Sequence, residues 1–119
     1  MYYLGRAYHE GSGVTQDYKK AIEWYREAAK AGERKSMFYL GWAYANKEGV
    51  EKDYSQAMKW YQRSAEAGEI AAMYQLALMY HKGVGIKKDI ERAVYWYIKA
   101  ARLEYDPAKK ALIKLGKAW

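Results

Sequence analysis

The chain has 119 residues, 51% of them hydrophobic, and a net charge of +7, so it holds enough apolar matter for one domain of ordinary size and too much for a disordered tail. It contains no Cys, which excludes a disulfide framework, a thiolate metal site and a cysteine nucleophile. The charge is uneven: residues 1–86 hold 12 basic and 10 acidic side chains and residues 87–119 hold 9 and 4.

The N-terminal stretch "MYYLGRAYHEG" has no basic-then-apolar signal pattern, and no uninterrupted apolar run could span a bilayer. With Cys absent, these features fit a reducing, cytoplasmic compartment. The chain then repeats itself with a period of 36 residues: Leu4, Leu40 and Leu76 correspond, as do Tyr8, Tyr44 and Tyr80. Gly13, Gly49 and Gly85 follow, then Asp17, Asp53 and Asp89, then Ala21, Ala57 and Ala93. Trp24, Trp60 and Trp96 come next, each followed by a Tyr, at 25, 61 and 97. A period in this range signals a solenoid of stacked units.

Each unit reads as two helices. In the first, Leu40, Ala43 and Tyr44 recur at three- and four-residue steps and mark an apolar stripe. A Gly-bearing loop breaks it ("GSGVTQ", "KEGVEK", "GVGIKK"), and Asp opens the second helix as its N-cap. Ala57, Trp60, Tyr61, Ser64 and Ala65 form the second stripe, and Gly32 and Gly68 close their helices. The three Trp are expected in the core, because they recur unchanged. One helix pair cannot bury its own apolar face, whereas three stacked pairs can. Met1 stands where Met37 and Met73 stand, so the chain is expected to enter about one turn into its first unit, as a fragment of a longer array would. At the other end Asp106 and Pro107 start a final helix, with Ala108, Ala111, Leu112, Leu115 and Trp119 on one face and Lys110, Lys114 and Lys117 on another. The expected units are about 1–33, 34–69 and 70–104, with a capping helix over about 107–117.

The pattern Leu-Gly, Tyr three positions later, Gly-x-Gly-Val, then Asp, Ala, Trp-Tyr and Ala-Ala resembles the Sel-one-like repeats, a branch of the tetratricopeptide-like solenoids. The resemblance covers almost the whole chain, and the 36-residue period favours it over ordinary tetratricopeptide units of 34. It departs from the pattern at Ala77 and Glu104, which stand for Gly, at Lys47, which stands for a loop Gly, and at Ser64, which stands for Ala. The resemblance implies an all-α, right-handed α/α superhelix: three helix-turn-helix repeats, the first clipped at its N-terminus, plus the capping helix. It also implies an adaptor or scaffold, not an enzyme, holding a partner protein or peptide in a concave groove lined by the first helices.

The residues themselves offer little chemistry. "GVGIKKD" lacks the Gly-Lys-Ser/Thr ending of a phosphate loop and no strand precedes it. His9 and His81 sit at equivalent positions two units apart, too far to share a metal ion within one chain. "HEG" lacks the second His of a zinc-protease helix. Ser12, Ser36, Ser55 and Ser64 have no His/Asp arrangement beside them. No cofactor or metal is expected. Mapping the concave wall onto the first helices picks Tyr2, Arg6, His9 and Glu10 in the first unit. It picks Phe38, Trp42, Ala45 and Asn46 in the second, and Tyr74, Leu78, His81 and Lys82 in the third, with Lys110, Lys114 and Lys117 on the cap. Trp42 stands out, since its equivalents are Arg6 and Leu78 and the scaffold does not demand Trp there. The expected partner places apolar anchors near Trp42 and Tyr74 and acidic groups near the cap lysines. Two alternatives remain open at this point. The basic C-terminal end could hold nucleic acid or an anionic surface, although no nucleic-acid motif is present. Exposed solenoid ends around Tyr2, Tyr3 and Ala7 could also self-associate into a homo-oligomer.

Overall fold

A computed structural model describes residues 2–11 and 16–119; Met1, Ser12 and Gly13, used in the repeat register and the serine survey above, lie outside them. The described residues form seven α-helices and no strand: α1 Tyr2–Glu10, α2 Tyr18–Lys30, α3 Arg34–Asn46, α4 Tyr54–Glu66, α5 Ile70–Lys82, α6 Ile90–Arg102 and α7 Asp106–Lys114. Each helix packs chiefly on its neighbours in the chain, as an all-α repeat solenoid requires. The molecule measures 46 × 27 × 22 Å with a radius of gyration of 14.8 Å, against about 13.5 Å for a compact domain of this length. It is elongated because stacking adds length without adding girth.

The repeated Asp explains how each hairpin is set. Asp17, Asp53 and Asp89 hold extended backbone and accept, through their carboxylates, from the backbone N–H of Lys20, Gln56 and Arg92 at 3.1–3.2 Å. Their own N–H groups donate to the carbonyls of Tyr8, Tyr44 and Tyr80 at 2.8–3.0 Å. One residue thus starts the second helix and ties it to the end of the first. The second helices of the first two units end in Ala31 and Ala67, with Gly32 and Gly68 one place beyond at φ 90° and 98°. The pair of closing bonds, Gly32 N–H to Ala29 O and Glu33 N–H to Ala28 O, recurs at Gly68 and again at Glu104. Glu104 therefore holds the left-handed position (φ 65°) that glycine holds in the other two units.

The fully buried aromatic rings of the second helices are Tyr25, Tyr61 and Tyr97, not the Trp row. Trp96 is buried, but Trp24 and Trp60 are half-buried. The reason is a close approach. A Cβ on Gly5 would lie 2.6 Å from the Tyr25 ring and one on Gly41 would lie 2.7 Å from the Tyr61 ring. The Tyr of each of these two units presses on a bare backbone, and the adjacent Trp stays half-buried. In the third unit Ala77 takes the glycine's place against Tyr97 and is itself buried. Ser64, in an Ala position, spends its hydroxyl on the carbonyl of Arg34 at 2.7 Å, joining two units.

The cap also differs from expectation in detail. Ala108 and Leu112 are fully buried and Leu115 half-buried, but Trp119 lies past the helix end and is 43% exposed. Leu115 caps the helix, and the N–H of Lys117 returns to the carbonyl of Leu112. Lys117 is thus off the helix that carries Lys110 and Lys114.

Candidate functional site: a trough from Trp42 to the cap lysines

Two cavities lie side by side along the first helices. One, of about 420 Å³, is walled by Tyr74, Leu78, His81 and Lys82 of α5, Tyr97 of α6, and Pro107, Lys110, Ala111 and Lys114 of α7. The other, of about 310 Å³, is walled by Trp42, Ala45 and Asn46 of α3, Tyr54 and Tyr61 of α4, Gln75, Leu78, Met79 and Lys82 of α5, and Val84. Leu78 and Lys82 border both, so the two cavities adjoin along α5 and are called the two compartments of a trough. Helical spacing produces this: Tyr74, Leu78 and Lys82 stand four residues apart and project from one side of α5.

Trp42 is half-buried beside Phe38, ring centroids 6.3 Å apart. Asn46 donates its amide to the carbonyl of Trp42 at 2.9 Å. Phe38 packs on Tyr61 (5.7 Å between centroids) and Tyr74 on Tyr97 (5.9 Å) and Tyr105 (5.3 Å). Phe38 therefore serves the packing, while Tyr74 serves the packing and lines the trough. At the cap end, Lys82, Lys110 and Lys114 are exposed and none pairs with a carboxylate among the described residues. Neighbouring Lys109 is different: it pairs with Glu104, away from the trough. Lys117 does not line the trough.

The first unit's picks are placed otherwise. Arg6 is held by Glu10 and by the Tyr2 hydroxyl, and its guanidinium lies 5.5 Å from the Tyr39 ring centroid. The ion pair with Glu10 and the Tyr2 hydroxyl hold it well above the ordinary arginine range. His9 Nε2 lies 3.1 Å from Glu48 Oε2 of the next unit. Tyr2, Arg6, His9 and Glu10 are thus bound to one another or to the second unit, and none lines the trough.

Several trough residues were not picked from the sequence. Tyr61 and Tyr97 belong to the second helices, and Pro107 and Ala111 belong to the cap. Burial pushes the Tyr97 phenol up to about 12, with Tyr74 adding to it. Its hydroxyl lies 2.9 Å from His81 Nδ1. A mapping of first helices alone cannot find these residues, since they stand on the second helices and on the cap. A separate cavity of about 530 Å³ lies between α4 and α6, bordered by Tyr95, Trp96 and Lys99. Tyr95 stands where Glu23 and Lys59 stand in the other units, a departure that the repeat register exposes.

Among the described residues no group of three or more His, Asp or Glu could hold a metal ion. None of their helices is long and apolar enough to cross a membrane.

The Sel1 repeat model matches this chain three times, over residues 1–33, 34–69 and 70–105. Among solved structures, a Sel1 repeat protein of Oxalobacter formigenes is 41% identical, with a TM-score of 0.89 over 95% of this chain and 46% of its own. A protective antigen of uropathogenic Escherichia coli that displays an SLR fold is 33% identical, with a TM-score of 0.89 over 97% of this chain and 25% of its own. Cysteine rich protein B of Helicobacter pylori is 22% identical and shares the fold, with a TM-score of 0.79 over 92% of this chain and 90% of its own. The chain thus spans about half and about a quarter of the first two. No curated protein matches it. Three successive matches and the shared solenoid show that this chain belongs to the Sel1-repeat family, whose members are in general non-catalytic scaffolds for protein interactions.

Proposed function

We propose that the chain is a protein-interaction scaffold that binds a partner protein or peptide along the trough from Trp42 to Lys114. The observation that carries this reading is that Leu78 and Lys82 border both compartments, which therefore adjoin along α5. A segment of chain can lie across both and meet the Trp42 ring at one end and the cap lysines at the other. Trp42 is the anchor. The repeat does not require an aromatic there, it is half-buried, and it borders the compartment between α3 and α5. Large aromatics in such settings carry a disproportionate share of binding energy. The first unit contributes rigidity, because Arg6 and His9 are already bonded.

Selection from a displayed random-peptide library tests this. The wild type is run beside a folded Trp42→Ala, Lys114→Glu double variant. The expected result is a recurring motif with an apolar residue, enriched by the wild type and lost with the variant. Equal enrichment by both proteins would remove the trough from consideration.

A further inference from the structure

The repeat makes two histidines directly comparable. His9 and His81 occupy equivalent positions and are the only two in the chain. In the first unit, His9 Nε2 faces Glu48. No carboxylate pairs with His81 among the described residues. His81 instead turns Nδ1 to the Tyr97 hydroxyl at 2.9 Å. Tyr97 is fully buried, and His81 is its only side-chain hydrogen-bond partner among the described residues. A buried hydroxyl with an acceptor in reach donates to it, since leaving the donor unmet carries the full cost of desolvation. The imidazole proton then sits on Nε2. Nε2 has no partner among the described residues, and His81 lines the lysine-end compartment.

That compartment contains donors without a matching acid. Lys82, Lys110 and Lys114 border it, no Asp or Glu does, and its floor is apolar. Pro107 occupies the first turn of α7 and brings no N–H to the wall. The seat thus has one directional N–H donor and three mobile point charges, with no guanidinium fork on its wall. A side-chain carboxylate can take the directed N–H on one oxygen and the lysine charges on the other.

We propose that the lysine-end compartment is a seat for the side-chain carboxylate of a Glu or Asp in the bound peptide. His81 Nε2–H gives it direction, the three lysines give it charge, and an apolar neighbour on the peptide lies against Tyr74 and Leu78. This rests on the trough reading above and names the chemistry of its partner.

The test uses N-acetyl-Leu-Glu-amide, N-acetyl-Leu-Gln-amide and phenyl phosphate as probes. The readout is the two imidazole signals in proton–carbon correlation spectra, assigned with His9→Phe and His81→Phe. The Glu probe is expected to shift His81 saturably, to leave His9 in place, and to bind about tenfold more tightly than the Gln probe. His81→Phe should weaken it about threefold, and His81→Gln, which keeps an N–H, should recover part of that loss. Lys110→Gln with Lys114→Gln, both exposed and therefore safe for the fold, should weaken it about fivefold. Equal binding of the Glu and Gln probes, no effect of the double lysine variant, or much tighter binding of phenyl phosphate would each overturn the carboxylate seat. Suppose the Glu probe leaves His81 unmoved while library-selected peptides still depend on Trp42. Then the seat is wrong and the trough stands. Suppose instead the Glu probe binds at His81 while no selected peptide depends on Trp42. Then the seat stands alone and the trough reading is wrong.

Discussion

The first and third units are built from one phrase and end as opposites. In the first, the polar groups of the concave side are consumed internally: Arg6 by Glu10 and Tyr2, His9 by Glu48. In the third, His81 is turned inward to Tyr97, and Lys82 has no carboxylate partner among the described residues. Packing is reversed as well. Leu4 is 44% exposed, whereas Leu40 and Leu76 at the same repeat position are fully buried. A repeat therefore fixes a backbone, while the value of each position depends on which neighbours lie on either side.

The largest test of this contrast is Leu76→Ala against Leu4→Ala. The first should cost about 2–5 kcal/mol in urea unfolding and the second less than about 1 kcal/mol, as burial differs and chemistry does not. Similar losses would mean that unit position does not govern stability. Gly41→Ala comes next, at about 1–3 kcal/mol, because its Cβ would strike the Tyr61 ring and lie 3.1 Å from the Ala57 carbonyl. The same measurement on Ala77→Gly should cost about 1–2 kcal/mol, the backbone-entropy cost of Gly in a helix plus the loss of a buried methyl.

A finer pair concerns the buried tyrosines. The Tyr25 hydroxyl is buried without a partner among the described residues, and the Tyr97 hydroxyl is bonded to His81. Tyr97→Phe should therefore destabilise by about 1 kcal/mol, and Tyr25→Phe should be neutral or stabilising. Thermal unfolding of the two variants decides it, and a loss at Tyr25 as large as at Tyr97 would break the contrast. The smallest effects belong to the non-glycine residues with positive φ, Lys47 (56°) and Glu104 (65°). Lys47→Gly should raise stability by about 0.5–1 kcal/mol. Glu104→Gly should gain less, because it also removes the exposed pair with Lys109. Chemical denaturation of both variants would show the order, and a loss at Lys47 would contradict it.

The 36-residue period, the two helices per unit, the Asp caps and the closing glycines were legible in the residues because they are local. A cap is satisfied by the N–H three places on, and a helix ends where the left-handed residue stands, whatever else surrounds it. Ser64 and Glu104 were visible as departures for the same reason. Trp42 was visible as a departure too, and a departure from a repeat is a local comparison. The neighbouring rings at 24 and 25, or 60 and 61, could not be ranked this way. Both lie on the apolar side of the helix, and only the bare backbone of Gly5 and Gly41 on another helix selects Tyr for the interior. Nor could the first-unit picks be separated from those of the third: Arg6 is neutralised within its own helix and His9 by a glutamate of the next unit. The sequence alone determined the local terms, which are helix, cap, turn and period. Tertiary structure alone decided which equivalent side chains are covered, bonded or left open, because that depends on contacts between units that no single unit contains.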